Sequence, residues 1–181
     1  MSKIINNDKL LEIFYINSYR WYHVREISRV VGLSPSTGSK YLNSFVKEGL
    51  LKKKEERKHL LFKADTENKG FILNKINYNI QKIKRSGLIE YLEEEFNYPQ
   101  TIILFGSYAK GENIPDSDID IFILTETKKE PDLSIFRKKL NTEIQLFIYN
   151  HKKFKVMQKN NKGLFINIIN GIKLYGMIEG I

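Results

Sequence analysis

The stretch LFGSYAKGENIPDSDIDIFIL, residues 104–124, holds two kinds of residue that could do chemistry together. Gly106 and Ser107 follow an apolar run, and backbone N–H groups beside a hydroxyl form a site suited to phosphate. Ten residues later, Asp118 and Asp120 lie in an alternating segment, so both carboxylates should project from one face of a strand. Two adjacent carboxylates repel each other unless a cation lies between them, and Mg²⁺ favours oxygen ligands together with substrate phosphates. The pattern therefore predicts half of a magnesium site beside a phosphate cradle.

An Asp-x-Asp pair alone is weak support for a metal site, because strand ends often carry exposed aspartates. The Gly-Ser pair at this distance is the feature that favours metal binding. Lys110 lies between the two and could add a cation for the phosphates.

The surrounding segments should position these residues. The β-branched and apolar run at 101–105 predicts a strand that ends at the Gly-Ser pair, followed by a short helix at 108–111. Alternation in SDIDIFIL predicts a second strand, and TEIQLFIY at 142–149 predicts a third. A helix at 88–96 should precede them.

The spacing of Gly106, Ser107, Asp118 and Asp120 resembles the signature of minimal nucleotidyltransferases of the DNA polymerase beta superfamily. The resemblance covers residues 88–176, including the closing GLFINIINGIKLYG. It implies a small α/β domain with a mixed sheet, which transfers a nucleoside monophosphate from an NTP, ATP in the first instance, to an acceptor hydroxyl. It also implies two Mg²⁺ ions held by the aspartates, with the Gly-Ser pair on the β- and γ-phosphates.

The same family has a third carboxylate on a later strand, and here the sequence departs from the pattern. The position expected for it is Gln145, whose amide is a poor Mg²⁺ ligand. Glu143 shares the predicted face two residues earlier and is the candidate for the third catalytic and metal-binding oxygen. Alternatively, only the metal that accompanies the nucleotide is held well.

Charge and composition limit the partners of the chain. Its 181 residues carry a net charge of +9 and no cysteine, which excludes disulfides and thiolate metal sites. Residues 1–65 hold thirteen Lys and Arg against seven Asp and Glu, and a basic first third is consistent with nucleic acid as a partner. The start of the sequence lacks the features of a signal peptide, and no apolar run could cross a bilayer, so we expect a cytoplasmic protein without membrane contact.

The sequence of the N-terminal third predicts short helices joined by a tight turn. A first helix is indicated at 9–18, and a short helix ending at Gly32 is followed by Ser34 and Pro35, which are suited to the N-cap and first position of the next helix. Strand-like runs at 50–54 and 60–63 then flank the polar turn EERK. This region resembles the winged-helix domains of prokaryotic transcription regulators.

If the winged helix binds DNA, the helix that follows Ser34 should face the major groove. The wing, which consists of the runs at 50–54 and 60–63 and the turn between them, should contact phosphates. A protein-docking role is the alternative, because the helix residues that would face the groove include only one cation and no arginine. The predicted DNA contacts are Ser36, Thr37, Ser39, Lys40 and Asn43 on the helix, with Lys53, Arg57 and Lys58 on the wing.

We therefore expect a fold of the α+β or α/β class. It should comprise a winged helix at 1–65, a helical linker at 66–87 and a nucleotidyltransferase domain at 88–181. The first functional hypothesis is a magnesium-dependent nucleotidyltransferase, whose relatives include antitoxins that modify a cognate toxin. The second is a transcription regulator whose nucleotidyltransferase domain senses nucleotide or is inactive, and a homodimer or a dimerising adaptor is a further alternative.

Overall fold

The computed structural model describes residues 2–178, with side chains for residues 9–178. The chain divides into two compact units, Met1–Tyr78 and Asn79–Ile181. The division falls inside the predicted 66–87 segment. Within the described residues, no helix is both long and apolar enough to span a membrane.

The first unit combines helices with a small antiparallel sheet. Strand β3 lies between β1 and β2 in that sheet. The elements in chain order are α1 (Ser2–Ile16), β1 (Tyr22–His23), α2 (Val24–Val30), α3 (Pro35–Lys47), β2 (Leu51–Glu56), β3 (His59–Ala64) and the first part of α4 (Lys69–Ser86).

The turn between α2 and α3 forms as the sequence predicts. Gly32 has φ of 70°, in the left-handed region that often ends helices. Ser34 Oγ accepts a hydrogen bond from the backbone N–H of Thr37 at 3.1 Å, and Pro35 is the first residue of α3. Leu33 packs against the core of the unit.

The hairpin between β2 and β3 is tighter than predicted. Glu56 pairs with His59, so only Arg57 and Lys58 form the loop instead of the four-residue turn EERK. Both residues have positive φ, 50° and 64°, as a type I′ turn requires. The pairing of β3 with the two-residue strand β1 was not predicted, because a strand this short has no periodicity to detect.

Helix α4, which covers most of the predicted linker segment, contributes residues to the cores of both units. Phe71 lies in the core of the first unit, and Ile83 lies in a core of the second. Lys75, on the same helix, is fully buried in the first unit and donates a hydrogen bond to Ser18 Oγ at 2.9 Å. Burial lowers the pKa of Lys75 to about 8.

The second unit is a mixed four-stranded sheet in the order β6-β5-β4-β7. Strands β4 and β5 are antiparallel, β4 and β7 are antiparallel, and β5 and β6 are parallel. After α4, its elements are α5 (Leu88–Glu95), β4 (Thr101–Phe105), α6 (Gly106–Lys110), β5 (Ile119–Leu124), α7 (Ser134–Leu140), β6 (Ile144–Tyr149), α8 (His151–Asn160), α9 (Lys162–Ile169) and β7 (Ile172–Gly176).

Both faces of this sheet are covered, which explains the apolar character of β4 and β5. Alternate residues of each strand enter different cores: Ile121 packs with α5 and α7, while Phe122 packs with α8 and α9. The mixed α and β architecture agrees with the predicted fold class.

Candidate active site

The candidate site forms where β4 ends beside the start of β5. Phe105 pairs with Asp120 in the antiparallel register, so Gly106 follows directly beside this aspartate. Gly106 has φ of 69°, and a Cβ at this position would overlap the Asp120 carboxylate. Glycine is therefore required twice here, once for its backbone conformation and once for the close approach.

Helix α6 begins at Gly106 itself, two residues earlier than predicted. Ser107 lies half-buried in its first turn, and its carbonyl oxygen accepts a hydrogen bond from Glu112 N at 2.9 Å. Lys110 is the last residue of α6 and is exposed to solvent. The structure thus brings Gly106 against Asp120, with Ser107 next to it in the chain, and leaves Lys110 at the far end of one short helix.

The two aspartates lie at the amino end of β5. Asp118 immediately precedes the strand, and Asp120 is its second residue, so the side chains share the face that carries Phe122. Burial, together with the negative charge of Asp118, raises the pKa of Asp120 above its ordinary value. The pair therefore concentrates negative charge that a cation would neutralise.

Gln145 occupies the position directly across from Asp120 on the parallel neighbour β6. Its side-chain Nε2 donates a hydrogen bond to Asp118 Oδ2. The residue expected to be a third carboxylate is thus an amide that supplies a donor to the acidic pair.

Glu143 lies one residue before β6, and its side chain is 70% exposed. Its Oε2 atom pairs with Arg137 Nε at 3.0 Å, and its backbone oxygen accepts from Ile119 N at 2.9 Å. Over the described part of the chain, no group of three or more acidic, His or Cys residues is arranged to hold a metal ion. The structure brings Asp118 and Asp120 together and places Glu143 in an ion pair, so its role as third ligand remains a prediction.

The donor set fits one Mg²⁺ ion better than two. Mg²⁺ is commonly held by one or two carboxylates, with substrate phosphates and water completing the octahedron. Asp118 and Asp120 supply such a pair, and the repulsion between them is consistent with a cation site. A second ion would need an additional carboxylate, and the candidate for it, Glu143, is paired with Arg137.

A buried amide pair that the sequence patterns did not indicate supports the loop leading to the aspartates. Asn79 Nδ2 donates to Tyr108 O and to Asn113 Oδ1, both at 2.9 Å. Asn79 and Asn113 are each at most 5% exposed. They join α4, α6 and the loop before β5. The pair is recognised by the burial of two asparagines, which no local sequence pattern reveals.

The residues predicted to contact DNA lie in the first unit, and several of them contact one another. The Ser36 and Thr37 hydroxyls lie within 2.9 Å and 2.8 Å of Ser34 Oγ at the start of α3. Asn43 Nδ2 donates to Ser39 O at 2.8 Å, and Lys53 Nζ donates to Asn43 Oδ1 at 3.3 Å. The structure therefore joins α3 to β2 through Asn43 and Lys53.

The remaining predicted DNA contacts are exposed. Lys40 lies on the solvent side of α3, and Arg57 and Lys58 form the tip of the hairpin. These three cations are accessible to an anionic partner.

Comparison with known proteins bears on the second half of the chain. No curated protein and no solved structure matches the chain. Residues 85–170 match the family model described as a nucleotidyltransferase domain. This match supports the predicted nucleotidyltransferase domain in the second half of the chain, and with it nucleotidyl transfer as the general class of reaction.

Proposed function

We propose that the protein is a magnesium-dependent nucleotidyltransferase that uses a nucleoside triphosphate, with ATP as the first candidate. The observation that carries the proposal is the packing of Gly106 against Asp120, with Asp118 on the same face of the sheet. This arrangement supports binding of a metal-bound triphosphate, whose phosphates would meet backbone N–H groups and the Ser107 hydroxyl while its metal would meet the two carboxylates.

In the proposed reaction, an acceptor hydroxyl oxygen bonds to the α-phosphorus while the bond from that phosphorus to the oxygen bridging the β-phosphate breaks. Pyrophosphate leaves, and the hydroxyl proton passes to solvent. Asp118 and Asp120 would hold Mg²⁺, which neutralises charge on the phosphates. Gly106 and Ser107 would bind the β- and γ-phosphates, and Lys110 would lie at the outer end of this site. We assign Glu143 to the acceptor side, where it would act after exchanging Arg137 for a metal ion.

The reaction can be tested while the acceptor is still unidentified. The full chain would be incubated with a cell extract and Mg²⁺, using ATP labelled in parallel at the α- or the γ-phosphate. Nucleotidyl transfer predicts that adding the protein increases macromolecular label from the α-phosphate with no matching increase from the γ-phosphate, and an Asp118→Asn/Asp120→Asn variant should give no such increase. Labelling from the γ-phosphate alone would show phosphoryl transfer and contradict the proposal.

A second candidate is a nucleotide-responsive regulator that binds Mg²⁺ and NTP without transferring anything. The observation that favours it is the neutral Gln145 at the third-carboxylate position, together with the ion pair that holds Glu143. This candidate predicts nucleotide binding with no labelled product under the same conditions.

For the first unit, we propose a winged helix that binds DNA through α3 and the β2–β3 hairpin. Exposed Lys40, Arg57 and Lys58 support phosphate contact, and the linked side chains of Asn43 and Lys53 would hold α3 and the wing in register. For the transfer reaction of the second unit, a partner protein is a further candidate for the acceptor of the nucleoside monophosphate, and a cognate toxin is one example. The expected sign of DNA binding is a steep loss of affinity with rising salt.

A further inference from the structure

Strand β6 forms an open edge of the sheet in the second unit. Glu143 O and Tyr149 O accept hydrogen bonds from the β5 side, from Ile119 N and Thr125 N, each at 2.9 Å. Successive residues of a strand direct their backbone groups to opposite edges, so residues 143, 145, 147 and 149 face β5. The outward N–H and C=O groups belong to Ile144, Leu146 and Ile148, and they have no backbone partner among residues 2–178.

The opposite edge of the same sheet provides an internal comparison. Strand β7 carries Lys173, and its pairing with β4 is irregular between Ile102 and Ile103. Charged side chains and bulges are the devices by which natural sheets prevent an edge from pairing with another strand. The β6 sequence IQLFIY contains no charge and no proline, and its register with β5 is unbroken.

The side chains of this edge are apolar but only partly covered. The residues from Leu146 to Tyr149 are half-buried, although equivalent residues of the central strand β5 are buried. The exposed surface occurs on both faces of the sheet, because Leu146 and Ile148 belong to one core and Phe147 and Tyr149 to the other. An uncharged, apolar edge of this kind is expected to be covered by a further strand.

We propose that a second copy of this chain covers the edge, through antiparallel pairing of β6 with β6. With Leu146 on the two-fold axis, Leu146 lies opposite itself and Ile144 lies opposite Ile148. All three outward-facing residues then exchange N–H···O=C bonds with outward-facing residues of the partner. Every cross-strand pair formed by these residues is apolar, so the surface is self-complementary, as a two-fold interface requires.

The distribution of charge also favours the antiparallel arrangement. At the amino end of β6, Glu143 is paired with Arg137, and the charges left unpaired among the described residues are those of Asp118 and Asp120. At the carboxyl end, Glu126 contacts His151, and Lys152 and Lys153 follow. Antiparallel pairing brings the acidic end of one copy toward the basic end of the other, and parallel pairing would bring like charges together.

The same register adds an aromatic side chain to the rim of the candidate site. The partner's Phe147 lies across from Gln145, which donates to Asp118. Dimerisation would thus shield this hydrogen bond from solvent. The proposal rests on the sheet edge and does not depend on nucleotidyl transfer, so either can fail without the other.

The test exploits the position of Leu146 on the two-fold axis. Sedimentation velocity of the full chain, from micromolar to millimolar concentration, should show a dimer that dissociates on dilution. Leu146→Lys and Leu146→Glu should each give monomers, because like charges meet at the axis, and an equimolar mixture should restore a mixed dimer. The matched control Ile166→Lys, at an exposed position on α9, should remain dimeric.

Hydrogen exchange of the unaltered chain provides a second readout that needs no variant. The Leu146 and Ile148 amides should exchange slowly at high concentration and rapidly on dilution, whereas Gln145 and Phe147 amides should stay protected by β5. The proposal would be overturned if the wild type were monomeric at every concentration or if Leu146→Lys formed dimers. It would also be overturned if the exchange rates of the Leu146 and Ile148 amides did not depend on protein concentration. A monomer whose edge amides become protected only in the presence of another protein would overturn it too, and would assign the edge to a foreign strand.

Discussion

Gln145 Nε2 donates a hydrogen bond to Asp118 Oδ2 at 2.5 Å across the parallel strands β5 and β6. The amide thereby supplies a donor to one of two carboxylates that otherwise repel each other. Because Gln145 also lies directly opposite Asp120, a third carboxylate at this position would face both aspartates.

Gln145→Glu should make the second unit dependent on metal. Loss of the donor and the added negative charge should destabilise the variant without Mg²⁺, by about 1–3 kcal/mol. Mg²⁺ should raise the Tm of the variant more than that of the wild type, and the rate of transfer should increase by about tenfold or more. Thermal unfolding with and without Mg²⁺ measures the first effect, with Gln145→Leu as the uncharged control. If Mg²⁺ raised the Tm of the wild type and of Gln145→Glu by the same amount, this interpretation would be contradicted.

Glu143→Gln distinguishes the transferase from the regulator. If Glu143 acts on the acceptor side, the variant should lose transfer by about a hundredfold or more while its affinity for Mg-ATP changes little. Arg137→Ala should have the opposite effect on transfer, because it releases Glu143 from its ion pair. Unchanged transfer in Glu143→Gln would remove this residue from the mechanism.

Gly106→Ala should abolish nucleotide binding. The methyl group would overlap the Asp120 carboxylate and force an alanine to keep a φ of 69°, at a cost of about 1–3 kcal/mol in the free energy of unfolding. Gly163→Ala is the matched control, because Gly163 lies in α9 with open space around it. Its Tm should be unchanged or slightly higher. Normal binding of ATP to Gly106→Ala, measured by calorimetry, would show that the close approach is not needed.

Lys75 should make the free energy of unfolding of the first unit rise with pH in the alkaline range. Its folded-state pKa of about 8 lies below the ordinary value of 10.5, so the unfolded chain binds the proton more tightly. The free energy of unfolding should therefore rise as pH increases from about 8 toward 10.5, by at most about 1.4 kcal/mol per pH unit. Urea unfolding at about pH 7 and about pH 9.5, on either side of the folded-state pKa, should show this rise in the wild type and a smaller one in Lys75→Met. The same pH dependence in both proteins would exclude Lys75 as its source.

Arg57→Asn/Lys58→Gly should separate DNA binding from folding. Asn-Gly is the preferred sequence for a type I′ turn, so the hairpin should be at least as stable as in the wild type. Affinity for DNA should fall, and the slope of log K against log salt should flatten by about 0.9 for each phosphate that the variant no longer neutralises. Lys159→Gln, an exposed lysine of α8, serves as the charge control. An unchanged salt dependence would place the wing away from DNA.

The local features of the site were predictable from sequence, because they depend on neighbours along the chain. The strand at Thr101–Phe105 forms where the sequence predicts it, and Asp118 and Asp120 lie at the start of the predicted second strand. The ion pair of Glu143 with Arg137 and the burial of Asn79 against Asn113 were not predictable, since they join segments that only the tertiary fold brings together. Strand β1 was missed for the same reason, because its two residues become a strand only through pairing with β3.

The proposed metal and nucleotide site is best tested by calorimetric titration of ATP into the full chain with and without Mg²⁺, repeated on Asp118→Asn/Asp120→Asn. The substitutions preserve side-chain size and remove the charge, so the folded state should survive them. Binding should require Mg²⁺ in the wild type and should be lost in the double variant. Binding that persists without Mg²⁺, or that is equally strong in the double variant, would contradict the proposed site.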